Sequence, residues 1–113
     1  MTMVLLGDTR HRLVADERVA AGARLGIRVS SSRPAWVALE EQRAGTWVRL
    51  WPEAASGAHV EGGEAELADA DGAVVLVVEP RADDWAVRLV GASEPLDRES
   101  HRAEARVEVR LQR

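Results

Sequence analysis

Five residues in one short stretch have the types and spacing of a recognition surface: Trp36, Glu40, Trp47, Arg49 and Trp51. Indole and guanidinium groups are enriched where proteins grip partners, because each joins a large contact area to a polar handle. All five lie within residues 34–52, which hold three of the four tryptophans. A β-hairpin would bring them together. Trp36-Val37-Ala38-Leu39-Glu40 and Trp47-Val48-Arg49-Leu50-Trp51 each show the period-two alternation of strands. Between them Gln42-Arg43-Ala44-Gly45 supplies a turn, with Gly45 free to take the positive φ that tight hairpins need.

A four-residue loop pairs Glu41 with Thr46. It then sets Glu40 opposite Trp47, Ala38 opposite Arg49 and Trp36 opposite Trp51. Opposed residues share a face, so this register puts three indoles, one guanidinium and one carboxylate on one side. Val37, Leu39, Val48 and Leu50 form the other side, which is the natural core face. The expected use is contact with a protein or peptide, strand addition at an edge included. Two other uses fit the same residues: stacking of a carbohydrate or another small ligand on the indoles, and a homodimer formed through the face. The structural alternative is that the tryptophans are core, since the chain has no Phe and no Tyr and indole is highly buried on average. A three-residue loop or a bulge would move Trp36 away from Trp47 and Trp51.

Catalysis and metal binding find little support. His11, His59 and His101 lack any paired metal spacing, and solvated histidines are the expectation. Asp69-Ala70-Asp71-Gly72 is a fragment of a calcium loop; with Asp83 and Asp84 nearby a cation site can be drawn, but an Asp-Gly turn accounts for it. Ser30-Ser31-Ser32 has no G-x-S-x-G frame. Glu40 and Glu41 are adjacent, so in a strand they point to opposite faces and cannot share a proton. Glu61-Gly62-Gly63-Glu64 opens no helix that could cradle a phosphate. Lys is absent and all 15 basic residues are Arg, so neither a Schiff-base nor a phosphate-loop lysine exists. The expectation is a non-enzyme with no cofactor and no metal.

Composition sets the frame for these residues. A chain of 113 residues is expected to form one domain, residues 1–113, with a core that needs no staples. Without Cys there are no disulfides or thiolate metal sites. The net charge of -4 is mild and spread along the chain, which argues against nucleic acid as a partner. The longest aliphatic run, residues 73–78, is too short to cross a bilayer, and the N-terminus lacks the basic lead and apolar core of a secretory signal. A cytoplasmic location is expected if Met1 is the native start; otherwise the compartment is open, the cell envelope included. Arg in place of Lys, no Asn, and abundant Ala, Gly and Val suit a GC-rich bacterial genome.

The hairpin sits among other short strands. Residues 3–6 predict an edge strand and 11–15 a weaker second one. Residues 16–22 predict an extended segment turning at Ala21-Gly22. In residues 24–30, Leu25, Ile27 and Val29 share one face. Residues 53–63 predict a long loop after Pro52. Residues 64–67 form a short strand with Ala65 and Leu67 inward. Residues 73–79 are aliphatic at both parities, which predicts a central strand. Residues 85–90 place Trp85, Val87 and Leu89 on one parity and Ala86, Arg88 and Val90 on the other. Residues 91–101 predict a polar connection. Residues 104–111 alternate cleanly, with Ala105, Val107, Val109 and Leu111 inward and Glu104, Arg106, Glu108 and Arg110 outward, a pattern that suits a solvated edge or an outer sheet face. Together these predict an all-β fold: an Ig-like, Greek-key β-sandwich of about seven to nine short antiparallel strands.

Several of these strands carry a shared grammar. Residues 21–29, Ala-Gly-Ala-Arg-Leu-Gly-Ile-Arg-Val, resemble an "aGdrlrf.v" strand, and residues 34–39 a "gyvyl" strand. Residues 45–52, Gly-Thr-Trp-Val-Arg-Leu-Trp-Pro, resemble "Gkv.rLfP"; residues 60–64 resemble an "l.aGe" step, and 71–78 follow as "G.e.l.vl". From Val19 to Leu89 the chain resembles an uncharacterised bacterial β-sandwich family, often appended to zinc-finger anti-sigma factors or found near caspase-like peptidases and envelope proteins. The resemblance implies a non-enzymatic sensory or interaction domain with no catalytic residues. This chain carries no zinc finger.

Overall fold

The computed structural model describes residues 1–7, 12–14, 17–19, 22, 24–43, 45–68, 76–77, 86–97 and 105–111. Within them lie eleven strands and no helix: β1 (Thr2–Leu6), β2 (Arg12–Leu13), β3 (Arg18–Val19), β4 (Arg24–Ser31), β5 (Ala35–Arg43), β6 (Thr46–Trp51), β7 (Ala58–Val60), β8 (Gly63–Ala68), β9 (Leu76–Val77), β10 (Ala86–Ala92) and β11 (Ala105–Leu111). The all-β expectation stands. Trp85, His11, His101 and the aspartates at 69, 71, 83 and 84 lie outside the described residues.

Two sheets are formed. In the first, the order is β2-β1-β4-β8, with β9 also beside β4. In the second it is β3-β11-β10-β5-β6, with β7 also beside β5. Alternation decides what lies between them. Met3 and Leu5 of β1, Leu25, Ile27 and Val29 of β4, Val37 and Leu39 of β5, Val87 and Leu89 of β10 and Val109 of β11 all belong to one buried cluster. Each such aliphatic side chain contributes about 1.5–3 kcal/mol when fully withdrawn from water. The inward parities expected for residues 24–30, for Ala65 and Leu67 and for Val107 and Val109 are those found: Ala65, Leu67 and Val107 also pack against this cluster. At Gly91 the sheets come close enough that an added Cβ would sit 2.6 Å from the Met3 sulfur. A glycine inside a strand often marks such an approach.

One expectation holds in part and two need correction. Among the described residues β1 is an edge in part: β4 runs along all of it, while on its other side β2 pairs with Leu5 and Leu6. Pairing is not wholly antiparallel, because β3 lies parallel to β11, with Arg110 N donating to Glu17 O at 3.0 Å. The supposed long loop at 53–63 contains β7. β6 and β7 both run antiparallel to β5, Leu39 pairing with Trp51 and Val37 with Ala58. They are two pieces of one border strand, separated by a detour through residues 52–57. Of the strand expected at 73–79, only β9 is described, beside Arg24 and Leu25.

Candidate functional site

The hairpin turns more tightly than its sequence predicts. Arg43 pairs with Thr46, so Gln42 faces Trp47, Glu41 faces Val48 and Glu40 faces Arg49. Gly45 carries a φ of 81°, the left-handed conformation open to glycine. The register is two residues away from the four-residue loop. A shift of two keeps every side chain on its expected face, so Glu40, Trp47 and Arg49 still share the outer surface of the second sheet.

Trp51 does not share it. The register slips between Glu40 and Leu39, whose partners are Arg49 and Trp51, and Leu50 is the extra residue. A one-residue bulge inverts the parity of everything beyond it. Trp51 therefore stands opposite Leu39 and packs, with Leu50, against the central cluster. Trp36 remains on the outer face but far from the turn. It faces His59, with ring centroids 4.7 Å apart, and rests on a second small cluster of Ala38, Val90, Ala92 and Leu96. Six residues of β5 separate its row from that of Trp47, about 20 Å along the strand. The three indoles expected on one platform thus divide: Trp51 against the central cluster, Trp36 beside His59 and Trp47 at the turn end, each half-buried.

At the turn end a charged row crosses four strands. Glu108 of β11 pairs with Arg88 of β10, Arg88 with Glu40 of β5, and Glu40 with Arg49 of β6. Glu40 is 1 % exposed. Arg88 Nε donates to its Oε1 at 2.8 Å, and Arg49 Nε stands 3.9 Å from its Oε2. The guanidinium of Arg88 also lies over the indole of Trp47, 4.1 Å from the ring centroid, a favourable use of the ring quadrupole. Glu40 is therefore a buried counter-ion to two guanidinium groups. Arg88 was missing from the sequence-derived set; its one signal was an arginine on the outward parity of residues 86–90.

Arg49 has a second task. Its Nη1 donates to the carbonyls of Ala54 and Ala55, at 3.0 and 3.4 Å. It thereby holds the 52–57 detour, whose Ser56 carbonyl accepts from Leu96 N at 2.9 Å. Between detour and strand runs an open groove of 320 Å³ along β6. Trp47, Val48, Leu50 and Pro52 give it apolar walls, and Glu40, Arg49 and Glu53 give it polar ones. Glu41, on the opposite parity from Glu40, is also buried, so the two carboxylates are separated by the sheet itself.

Among the described residues no three His, Asp or Glu side chains are placed to hold a metal ion, and no helix is long and apolar enough to cross a membrane. Compared with protein-family models, with curated proteins and with solved structures, the chain matches none.

Proposed function

We propose that the chain is a non-enzymatic interaction module that takes a protein or peptide partner at the Trp47–Arg49 end of the hairpin, in a bacterial signalling or regulatory setting of the kind its family resemblance suggests. The observation that carries this reading is the groove along β6. β6 is the border strand of its sheet at this end, and its residues from Trp47 to Trp51 are half-buried. An extended peptide laid beside it would gain main-chain hydrogen bonds, while its alternate side chains met Trp47 and Arg49 on one face and Val48 on the other.

An Ig-like, Greek-key arrangement goes with this proposal. Its support is that the sheet orders, with the two-residue strands β2 and β3 set aside, run β1-β4-β8 and β11-β10-β5-β6, comparable to A-B-E and G-F-C-C′ of immunoglobulin-type sandwiches. In that mapping β6 takes the place of C′.

The test is titration of extended peptides and of glycans, followed by calorimetry, with Trp47→Ala as control. Binding of a peptide class, weakened about tenfold or more by the substitution, is the expected result. Binding of glycans alone would move the same groove to a carbohydrate module. No binding, or peptide binding indifferent to Trp47→Ala, would overturn the proposal.

A further inference from the structure

Among the described residues, the opposite border of the second sheet is paired over a short length. β11 has β10 on one side; on the other, among the described residues, β3 pairs with Arg110 and Leu111, and Glu17 O takes the Arg110 N–H. Among the described residues, no strand lies beside 105–109 on that side. The direction of the backbone groups there follows from one bond. Arg110 N donates toward β3, to Glu17 O. N–H and C=O groups alternate sides along a strand, so Arg106 and Glu108 aim theirs at the same open border. Their side chains lie on the outer surface, with Arg106 exposed, while Val107 and Val109 turn to the core.

We propose that two copies of this chain associate through this border, β11 against β11, antiparallel, about a two-fold axis through Val107. This goes beyond the peptide groove, which lies on the other side of the sheet.

The charges and β3 select the register. A two-fold pairing must set outward-aimed residues opposite each other, so each allowed register is centred on one residue. Centred on Arg106, it sets that guanidinium against its own copy. Centred on Glu108, it opposes Glu108 to the second copy's Glu108 and Arg106 to its Arg110. Centred on Val109, it opposes Glu108 to Arg110, but at the place β3 already holds. Centred on Val107, Arg106 meets the second copy's Glu108, and Glu108 its Arg106. Val107 meets Val107, and Ala105 meets Val109. The hydrogen-bonded stretch, 106–108, stops short of Arg110, whose N–H Glu17 O already takes. Both charged pairs exchange N–H···O=C bonds in both directions, and like charges are nowhere opposed. The two outer sheets become one continuous sheet.

Sedimentation velocity across micromolar to millimolar protein tests this. The wild-type chain is expected to show a concentration-dependent dimer. R106E and E108R each oppose like charges at both pairs and are expected to weaken it about tenfold or more. An equimolar mixture of R106E and E108R places opposite charges at both positions, and a mixed dimer is expected to return. E108R also removes the Glu108 carboxylate that accepts from Arg110 Nη2 at 3.0 Å, so R106P serves as a second variant. It removes an N–H that points outward and is not used by the monomer's own ladder. Trp47→Ala leaves this dimer unchanged. A wild-type chain monomeric at every concentration, or a dimer that survives both R106E and R106P, would overturn the proposal.

Discussion

Replacing Glu40 with Gln removes one negative charge from between two guanidinium groups and changes almost nothing else in shape. Arg88 and Arg49 retain only 15 % and 8 % of their side-chain exposure, so water cannot take over the carboxylate's role. Removing one member of a buried ion pair costs about 3–5 kcal/mol, much of it the cost of the charge left behind. The longer 3.9 Å contact to Arg49 and the partial exposure of Arg88 place this case at the low end, about 3 kcal/mol. For a chain of this length that corresponds to about 12 °C in melting temperature. Urea unfolding measures it directly, and an unchanged slope would show that the folded state itself is intact. The loss is expected to persist at high salt, because a buried pair is screened far less than a surface one. Replacing Glu40 and Arg88 together, E40L with R88M, is expected to recover little of the loss, because Arg49 is then left without its carboxylate while still holding Ala54 O and Ala55 O. If Glu40→Gln falls within about 0.5 kcal/mol of wild type, the row is solvated and the assignment of Glu40 as an internal counter-ion is wrong.

Two glycines with similar backbones should respond differently to alanine. Gly57 has a φ of 91°, and a Cβ there would lie 2.9 Å from Val37 O and 3.2 Å from Leu96 Cδ1, whereas Gly45 has a φ of 81° and nothing within 4 Å. Gly45→Ala is expected to cost about 1 kcal/mol and Gly57→Ala about 2–4 kcal/mol in thermal or chemical unfolding, because only the second adds collision to strain; equal losses would contradict this. Arg49→Ala frees the carbonyls of Ala54 and Ala55. Amide exchange at Gly57 and Leu96, whose N–H groups donate to Ala54 O and Ser56 O, is then expected to quicken about tenfold or more while β10 keeps its protection. Unchanged exchange would mean that the detour is held by its backbone alone.

Much of the fold could be read from alternation. Leu25, Ile27 and Val29, or Val107 and Val109, occupy one parity with polar neighbours on the other, and a half-buried strand is the only element that serves such a pattern. The bulge at Leu50 was beyond that reading. Leu50 and Trp51 are both large and apolar, so either register buries something, and nothing local says which strand gains a residue. β7 was hidden for the same reason: Ala58-His59-Val60 is short, and its place beside β5 depends on a glycine turn six residues after Trp51. The burial of Glu40 was the deepest omission. Its charge suggests solvent, and what reverses that is Arg88, 48 residues further along and brought alongside only by the β5–β10 pairing.

The break between β6 and β7 has a consequence for how these molecules behave when crowded. β5 is nine residues long. A single unbroken neighbour of that length would present a flat rim on which chain after chain could stack into fibrils. Instead the rim is cut into a six-residue piece and a three-residue piece, with Pro52 and a looped-out segment between them. A short ligand can lie along the longer piece, but an endless sheet cannot grow across the gap.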